Sequence, residues 1–135
     1  MKIRLILLSF AVITAFTLHA QEAKKINEYG NIANENASML LDNYANELMM
    51  DPGSTGYIIT YGGSKGSSSE AKARADFAKN YLVDSRGVDA SRLVIIDGGL
   101  KKDPATELWV VPYMALPPSA SPTIKPKSIK DKKTN

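Results

Sequence analysis

The sequence contains no cysteine and only one histidine. The absence of cysteine excludes disulfides, thiolate zinc sites, thiol nucleophiles and the lipid-modified cysteine of bacterial lipoproteins. The single histidine is His19, which lies inside an N-terminal segment that we expect to be removed. The mature chain would then have no imidazole to serve as a general base or as a metal ligand. The composition therefore predicts a protein that is not an enzyme and that holds no metal or cofactor.

The first twenty residues have the pattern of an export signal. Lys2 and Arg4 give a positive start, residues 5–18 are almost entirely apolar, and polar sequence begins at Gln21. A charged start, an apolar stretch of about 7–15 residues and a small residue at the cleavage point are typical of signal peptides. Because the apolar stretch is shorter than the roughly 20 residues that span a bilayer, we expect cleavage after Ala20, and an uncleaved membrane anchor is the alternative.

The charged residues are distributed unevenly along the chain. Residues 21–112 hold ten basic and thirteen acidic side chains, whereas residues 113–135 hold five lysines and one aspartate. The excess of basic residues therefore belongs to the two ends of the sequence. An exported body with an acidic balance is a poor partner for nucleic acid.

Residues 21–112 are enough for one small domain with a single core, and too few for two domains. Apolar residues at helical spacing begin near Asn36 and predict a helix. The sequence Asp51-Pro52-Gly53 ends this helix, since proline disfavours helical geometry in the residue before it.

The middle of the chain predicts a strand, a helix and a second strand. Residues 56–61 are β-branched and aromatic, which favours a strand. Ser67 and Glu70 have the spacing of a capping box, and Gly87 suits the left-handed position just beyond the helix that they open. Residues 92–96 are almost entirely apolar and predict a central strand. A right-handed crossover would pair these two strands in parallel.

Residues 107–111 predict a third strand, and a short strand within residues 21–33 would be a fourth. The predicted fold class is α/β (α+β), a small mixed sheet of three to four strands with two helices packed on it. Proline, serine and lysine dominate after residue 112 and cannot build a core. Residues 113–135 are therefore predicted to form a disordered tail.

Two local patterns could carry chemistry. Ser69 and Lys72 match the S-x-x-K pattern of penicillin-recognising enzymes, but the companion motifs are absent and the chain is too short for that fold. These two residues are interpreted as the solvated start of a helix, so no catalytic residue is predicted.

The loop of residues 62–66 connects a strand to a helix, where backbone amides can hold an anion. It fits no phosphate-binding motif, and both an anion contact and a plain connection remain open.

Several features follow one another in the order found in OmpA-like domains. They are the strand of residues 57–61, Arg74-Ala75, Tyr81-Leu82, Gly87-Val88 and Arg92-Leu93. On these residues, the segment 27–112 resembles the OmpA-like peptidoglycan-binding domain. The stretches 27–32, 57–63 and 107–112 are similar to a divergent branch of exported proteins in that family. The resemblance implies a βαβαβ(β) fold, a location in the periplasm or at the outer membrane, and non-covalent association with peptidoglycan.

The family binds the diaminopimelate of peptidoglycan stem peptides with two side chains. The arginine of an Arg-Ala pair holds the ligand's carboxylate, and an aspartate in the preceding loop holds its ammonium group. Arg74 matches the arginine. Residues 61–66 contain no aspartate, and the loop is about four or five residues shorter than in the family.

The basic pair that the family usually has before its last strand is also replaced, by Ala105-Thr106. The resemblance implies a ligand site at Arg74 and the loop, with binding weakened by the loss of one charge. Glu70 is the nearest other acid, although a capping box would give it a different role. The loop residues assigned to this site are Gly62, Gly63, Ser64 and Lys65.

Two functions follow from the sequence as hypotheses. The first is an exported envelope module that binds the peptidoglycan stem peptide weakly. The alternative is an envelope structural or interaction protein that has lost this binding. In the second case, the tail of residues 113–135 would contact anionic lipids or another envelope protein.

Overall fold

A computed structural model describes residues 21–65 and 68–125 of the protein. The predicted signal peptide, Ser67 of the predicted capping box, Gly66 of the loop and residues 126–135 of the tail lie outside the described residues. The described part consists of four strands and two helices. They are β1 (Lys24–Tyr29), α1 (Asn34–Met50), β2 (Thr55–Gly62), α2 (Ser68–Asn80), β3 (Leu93–Leu100) and β4 (Ala105–Val111).

The four strands form one sheet in the order β1-β4-β2-β3. β2 pairs with β3 in parallel, with Tyr57 opposite Val94, and β4 is antiparallel to both β1 and β2. The predicted fold class and the predicted parallel pair are confirmed. The prediction that β3 is central is wrong, because β3 lies at an edge. Its sequence is apolar because Leu93 joins the core under the helices while Ile96 packs on the opposite face of the sheet.

α1 provides most of the core on one face of the sheet. Leu41, Tyr44 and Leu48 recur at helical spacing and are fully buried against β2 and β4. The hydroxyl of Tyr44 donates to the backbone carbonyl of Trp109 at 2.8 Å, and the carbonyl of Tyr57 lies 3.3 Å from the same oxygen. Tyr44 therefore joins the helix to two central strands by a hydrogen bond as well as by packing.

Gly56 in β2 makes room for this tyrosine. A Cβ atom on Gly56 would lie 2.5 Å from the Tyr44 hydroxyl oxygen and 3.0 Å from a methyl carbon of Leu93. Real Cβ contacts are not that short, so only glycine fits at this position without moving the helix.

α2 lies close to the sheet because its inner stripe is made of alanines. Ala71, Ala75 and Ala78 are buried. After Asn80 the chain makes a π-helical turn over Tyr81–Ser85. Gly87 then adopts a φ of 68° in the left-handed region, as predicted from the sequence.

Arg92 closes the end of the fold where β2 and β3 begin. Its guanidinium donates to the carbonyl of Leu48 at 2.7 Å, to that of Asp51 at 2.9 Å and to that of Ser54 at 3.0 Å. α1 has no basic residue in its own last turn. The arginine at the start of β3 therefore supplies donors that the C-terminal carbonyls of α1 need.

The face of the sheet away from the helices, here called the open face, is also apolar. Ile59 and Tyr61 are buried there, with Trp109 half-buried beside them. Part of the predicted tail covers this face. Residues 113–125 have an irregular conformation, and Ser121 donates its amide to the Tyr61 hydroxyl on this face at 3.1 Å.

The end of this C-terminal segment, residues 113–125, is fixed to β3. The amides of Thr123 and Ile124 donate to the carbonyl of Leu100 at 3.0 and 3.1 Å, and Ala120 packs against the open face. The sequence predicts a disordered tail from residue 113. For residues 120–124 this prediction is wrong, because these residues are held against the fold. The physical reason is that the apolar side chains of Ile59 and Tyr61 on the open face need a segment to cover them. Small residues such as Ala120 are sufficient for this.

We expect Arg92→Met to destabilise the protein by about 3 kcal/mol, because the buried carbonyls at the end of α1 lose a charged donor. Urea unfolding followed by Trp109 fluorescence measures this. Lys72→Met, at an exposed position of α2, is the matched control and should change the unfolding free energy by less than about 0.5 kcal/mol. Equal effects of the two variants would contradict the role of Arg92.

Gly56→Ala should destabilise the fold by about 1–3 kcal/mol through overpacking against Tyr44. Gly53→Ala is the control, because a Cβ there would meet its nearest neighbour at an ordinary 3.7 Å. Thermal unfolding of the two variants measures the difference. A Gly56→Ala protein as stable as Gly53→Ala would show that the helix can move away without loss.

Candidate functional site

Arg74 lies on α2 beside the alanine stripe and reaches over the end of the sheet. Its Nη2 donates to the carbonyl of Tyr61 at 2.6 Å, and its Nε donates to the Thr106 hydroxyl at 3.3 Å. These bonds join α2 to β2 and β4, so the guanidinium is held in one orientation. Since a guanidinium carries five N–H donors, the two bonds leave further donors for another partner.

A cleft of about 290 Å³ opens next to this guanidinium, between α2 and the connection from β1 to α1. We call it the Arg74 cleft. Its size is near the lower end of the range of small-ligand sites. Its walls are mixed polar and apolar, formed by Tyr29, Asn31, Ile32, Asn34, Ala37, Glu70, Ala73, Arg74 and Phe77.

No carboxylate of the described residues lies within 4.0 Å of the Arg74 guanidinium. Glu70, one turn earlier on α2, lines the same cleft and is exposed. Burial lowers the pKa of Arg74 from its usual value, and the nearby Tyr29 and Glu70 raise it again. The guanidinium remains charged at neutral pH, since arginine does not lose its proton in proteins.

Tyr29, at the end of β1, forms another wall of the Arg74 cleft. Its side chain is 8% exposed, and its hydroxyl makes no hydrogen bond within the part of the chain that is described. Burial raises the pKa of this hydroxyl, an effect that Thr106 and Arg74 partly counteract from nearby. A buried polar group without a partner is uncommon in folded proteins and is often found where a ligand or water completes the bonding.

The predicted loop residues are tied to the connection between β3 and β4. The carbonyl of Gly62 accepts from the Lys101 amide at 2.9 Å, and the Ser64 amide donates to the Lys102 carbonyl at 3.2 Å. A Cβ on Gly63 would lie 2.9 Å from the Pro104 ring. The amide of Ser64 is therefore already used and is not available to an anion.

Lys65 is exposed and lines a separate hollow of about 300 Å³. Glu70 lines both this hollow and the Arg74 cleft, so it stands between the loop and the arginine. The predicted site thus divides into two adjoining parts. Gly63, Ser64 and Lys65 line one of them, Arg74 lines the other, and Gly62 lines neither.

Tyr29 was not among the residues predicted for a site. In the sequence it is one of several scattered apolar positions before α1, and nothing local marks it. Its place beside Arg74 follows from the pairing of Tyr29 with Thr106 across β1 and β4. A correct prediction of that long-range pairing would have placed Tyr29 beside Arg74.

A second charged cluster lies on the open face around Glu107. This carboxylate accepts from Lys101 at 3.1 Å and from the Trp109 indole at 3.0 Å. Lys101 also lies 4.0 Å from the centre of the Tyr61 ring. Glu107 is 3% exposed and its partners belong to the protein itself, so we interpret this cluster as structural.

Within residues 21–65 and 68–125, no helix is long and apolar enough to cross a membrane. The same residues contain no group of three or more histidine, cysteine, aspartate or glutamate side chains that could hold a metal ion. A scan of the chain against models of known protein families finds no match, and a search of curated proteins finds none either.

The Glu107 cluster predicts a pH dependence of stability. Burial raises the pKa of this carboxyl, but hydrogen bonds from Trp109 and Lys101 and the lysine charges outweigh burial and leave the pKa below its usual value. A carboxyl with a lowered pKa in the folded state stabilises the fold at neutral pH, and this contribution is lost as pH falls through the folded-state value.

Glu107→Gln should therefore cost about 1–3 kcal/mol at pH 7, and the difference from wild type should shrink below pH 4.5. Urea unfolding at several pH values measures it. Glu35→Gln, at an exposed position in α1, is the control and should change the free energy of unfolding at pH 7 by less than about 0.5 kcal/mol. A Glu107→Gln effect that stayed constant from neutral to acidic pH would contradict the assignment.

Proposed function

We propose that this protein is an exported cell-envelope binding module with an OmpA-like fold that associates non-covalently with peptidoglycan. The observation that carries the proposal is the Arg74 guanidinium. It is half-buried at the edge of a cleft, oriented by Tyr61 and Thr106, and has no ion-pair partner among the described residues. Such a group is suited to a ligand carboxylate, because its planar fork binds two oxygens at once.

The succession of elements supports the same proposal. The described chain runs strand, helix, strand, helix, strand, strand, with β2 and β3 parallel and Arg74 on the helix that connects them. This agrees with the βαβαβ(β) order that the resemblance to OmpA-like domains implies.

The ligand group that we propose for the Arg74 cleft is the free end of a diamino acid in a peptidoglycan stem peptide. Such an end carries a carboxylate and an ammonium group on one carbon. Arg74 would bind the carboxylate, and Glu70 on the same wall would face the ammonium. The two protein charges are one helical turn apart, which places side chains of opposite sign on the same side of α2.

Glu70 is a weaker ammonium partner than a buried acid would be, because it is exposed and water competes for it. The proposal therefore includes modest affinity.

An envelope interaction protein without wall binding is the alternative function. It is favoured by the loop after β2, where the Ser64 amide already has a partner and Gly63 is packed on Pro104. The place where a second charge would be expected is thus occupied by the connection between β3 and β4. The following experiment separates the two functions.

Purified protein should sediment with peptidoglycan sacculi, and Arg74→Ala should weaken this by about tenfold to a hundredfold, the loss expected for a charge-assisted hydrogen bond of about 1.5–3 kcal/mol. Lys72→Ala on the exposed side of the same helix is the matched control and should bind like wild type. Circular dichroism of both variants checks that the Arg74→Ala protein remains folded. Glu70→Gln should weaken binding less than Arg74→Ala does.

Two results would contradict the proposal. If the wild-type protein does not sediment with sacculi at all, the interaction protein is the better description. If Arg74→Ala and Lys72→Ala both bind as wild type does, any association with the wall uses another surface.

A further inference from the structure

Large apolar side chains are exposed at the end of the molecule opposite the Arg74 cleft. Met50, Tyr113, Met114 and Leu116 are 80%, 79%, 84% and 86% exposed. We call these four residues the basal patch. Single exposed apolar residues are common on soluble proteins, but a group of them at one place indicates a contact surface.

The members of the basal patch come from segments that meet at this end of the sheet. Met114 and Leu116 line a hollow together with residues 21–23, just before β1. The turn after α1, which follows Met50, is also near, since a Cβ on Gly53 would lie 3.9 Å from the Cβ of Tyr113. The fold therefore brings the patch together from segments that are far apart in the sequence.

The backbone at Met114 adopts a conformation that is unfavourable for methionine. Its φ is 68°, and it is the one residue other than glycine with a positive φ in the described chain. The turn is closed by the Ala115 amide, which donates to the Pro112 carbonyl at 3.0 Å. Glycine would fit this position without strain. A long apolar side chain is present there instead, and it faces solvent.

The longest apolar stretch of the sequence joins the fold at this same place. Residues 5–18 are almost entirely apolar, and they lead through two residues into Gln21, which lines the hollow beside Met114 and Leu116. If these residues are retained as a membrane anchor, Gln21 and the hollow that it lines are held close to the lipid surface.

We propose that, in the chain that retains residues 1–20, the basal patch rests on the surface of a lipid bilayer, with Met114 and Leu116 entering the interface. Binding of this kind grows with the apolar area that leaves water. The four side chains of the patch carry no charge, so the contact does not require anionic lipid. The inference does not rest on the proposed peptidoglycan binding, although the two surfaces lie at opposite ends of the strands and can be used together.

The position of the C-terminal segment distinguishes a lipid contact of the basal patch from a lipid contact of the basic tail. Ile124 is bound to Leu100, at the end of the sheet that also holds Gly62 and the Arg74 cleft. Lys125 and the lysines after it therefore start from the end remote from the basal patch. A contact made by those lysines would depend on anionic lipid and would be screened by salt.

The absence of cysteine allows a direct test on the full chain. A single cysteine is introduced as Leu116→Cys and labelled with a fluorophore whose emission depends on polarity, and the protein is incorporated into phosphatidylcholine vesicles. The emission should shift to shorter wavelength and be quenched by nitroxide lipids. The same label at Met39→Cys is the matched control. Met39 is 70% exposed and lies near the other end of α1, so its emission should not shift.

A second variant distinguishes lipid contact from a structural role of the turn. Met114→Gly removes the apolar side chain and relieves the positive φ, so we expect higher thermal stability together with weaker quenching of the label at residue 116. A purely structural turn would become more stable with unchanged quenching, and that result would overturn the proposal.

Three other outcomes also count against it. The labels at residues 116 and 39 could behave alike, or the protein could fail to associate with the vesicles. The shift at residue 116 could also occur only with phosphatidylglycerol vesicles and disappear at high salt, which would assign the contact to the lysine-rich tail.

Discussion

The guanidinium of Arg92 holds together the end of the fold where β2 and β3 begin. It donates to carbonyls in the last turn of α1, in the turn after it and just before β2. Because the donor comes from the start of β3, the Leu48 carbonyl of α1 obtains this partner only when β3 lies beside β2. The parallel pair then determines where α2 crosses the sheet. The position of Arg74, at the far end of the molecule, thus depends on an arginine whose own donors are used inside the fold.

The two arginines show how the same side chain can serve structure or binding. Arg92 directs its Nε and Nη2 donors to carbonyl oxygens between the end of α1 and the start of β2, inside the fold. Arg74 makes two bonds that orient it, to Tyr61 and Thr106, and one side of the guanidinium still faces the cleft. The Glu107 cluster resembles Arg92 in this respect, since a buried charge there is fully satisfied by lysines and an indole. Arg74 differs from these two charges because its guanidinium lines a cleft.

Local patterns predicted most of the fold and little of the site. Helical periodicity, the glycine after α2 and the parallel pair are properties of short segments, and all three agree with the structure. The apolar sequence of β3 led to the wrong prediction of a central strand, because apolar residues on an edge strand can also be covered from both faces. The central strand β4 contains Glu107, which no hydropathy pattern would place in a buried position. The contact of Tyr29 with the Arg74 cleft, and the cover that Ala120 gives the open face, depend on pairings between distant segments. Such pairings leave no signal in a single sequence.

The relative positions of Gln21 and the Arg74 cleft have a mechanical consequence. The chain enters at Gln21, below the first residue of β1, and the Arg74 cleft lies near the other end of the strands, about 23 Å away for the eight residues of β2. A pull between these two points is directed along β1 and along its antiparallel neighbour β4. The backbone hydrogen bonds between Lys24–Tyr29 and β4 then share the load simultaneously, whereas a pull across the sheet would break them one after another. A small domain with this geometry resists tension along its strands better than its size alone suggests.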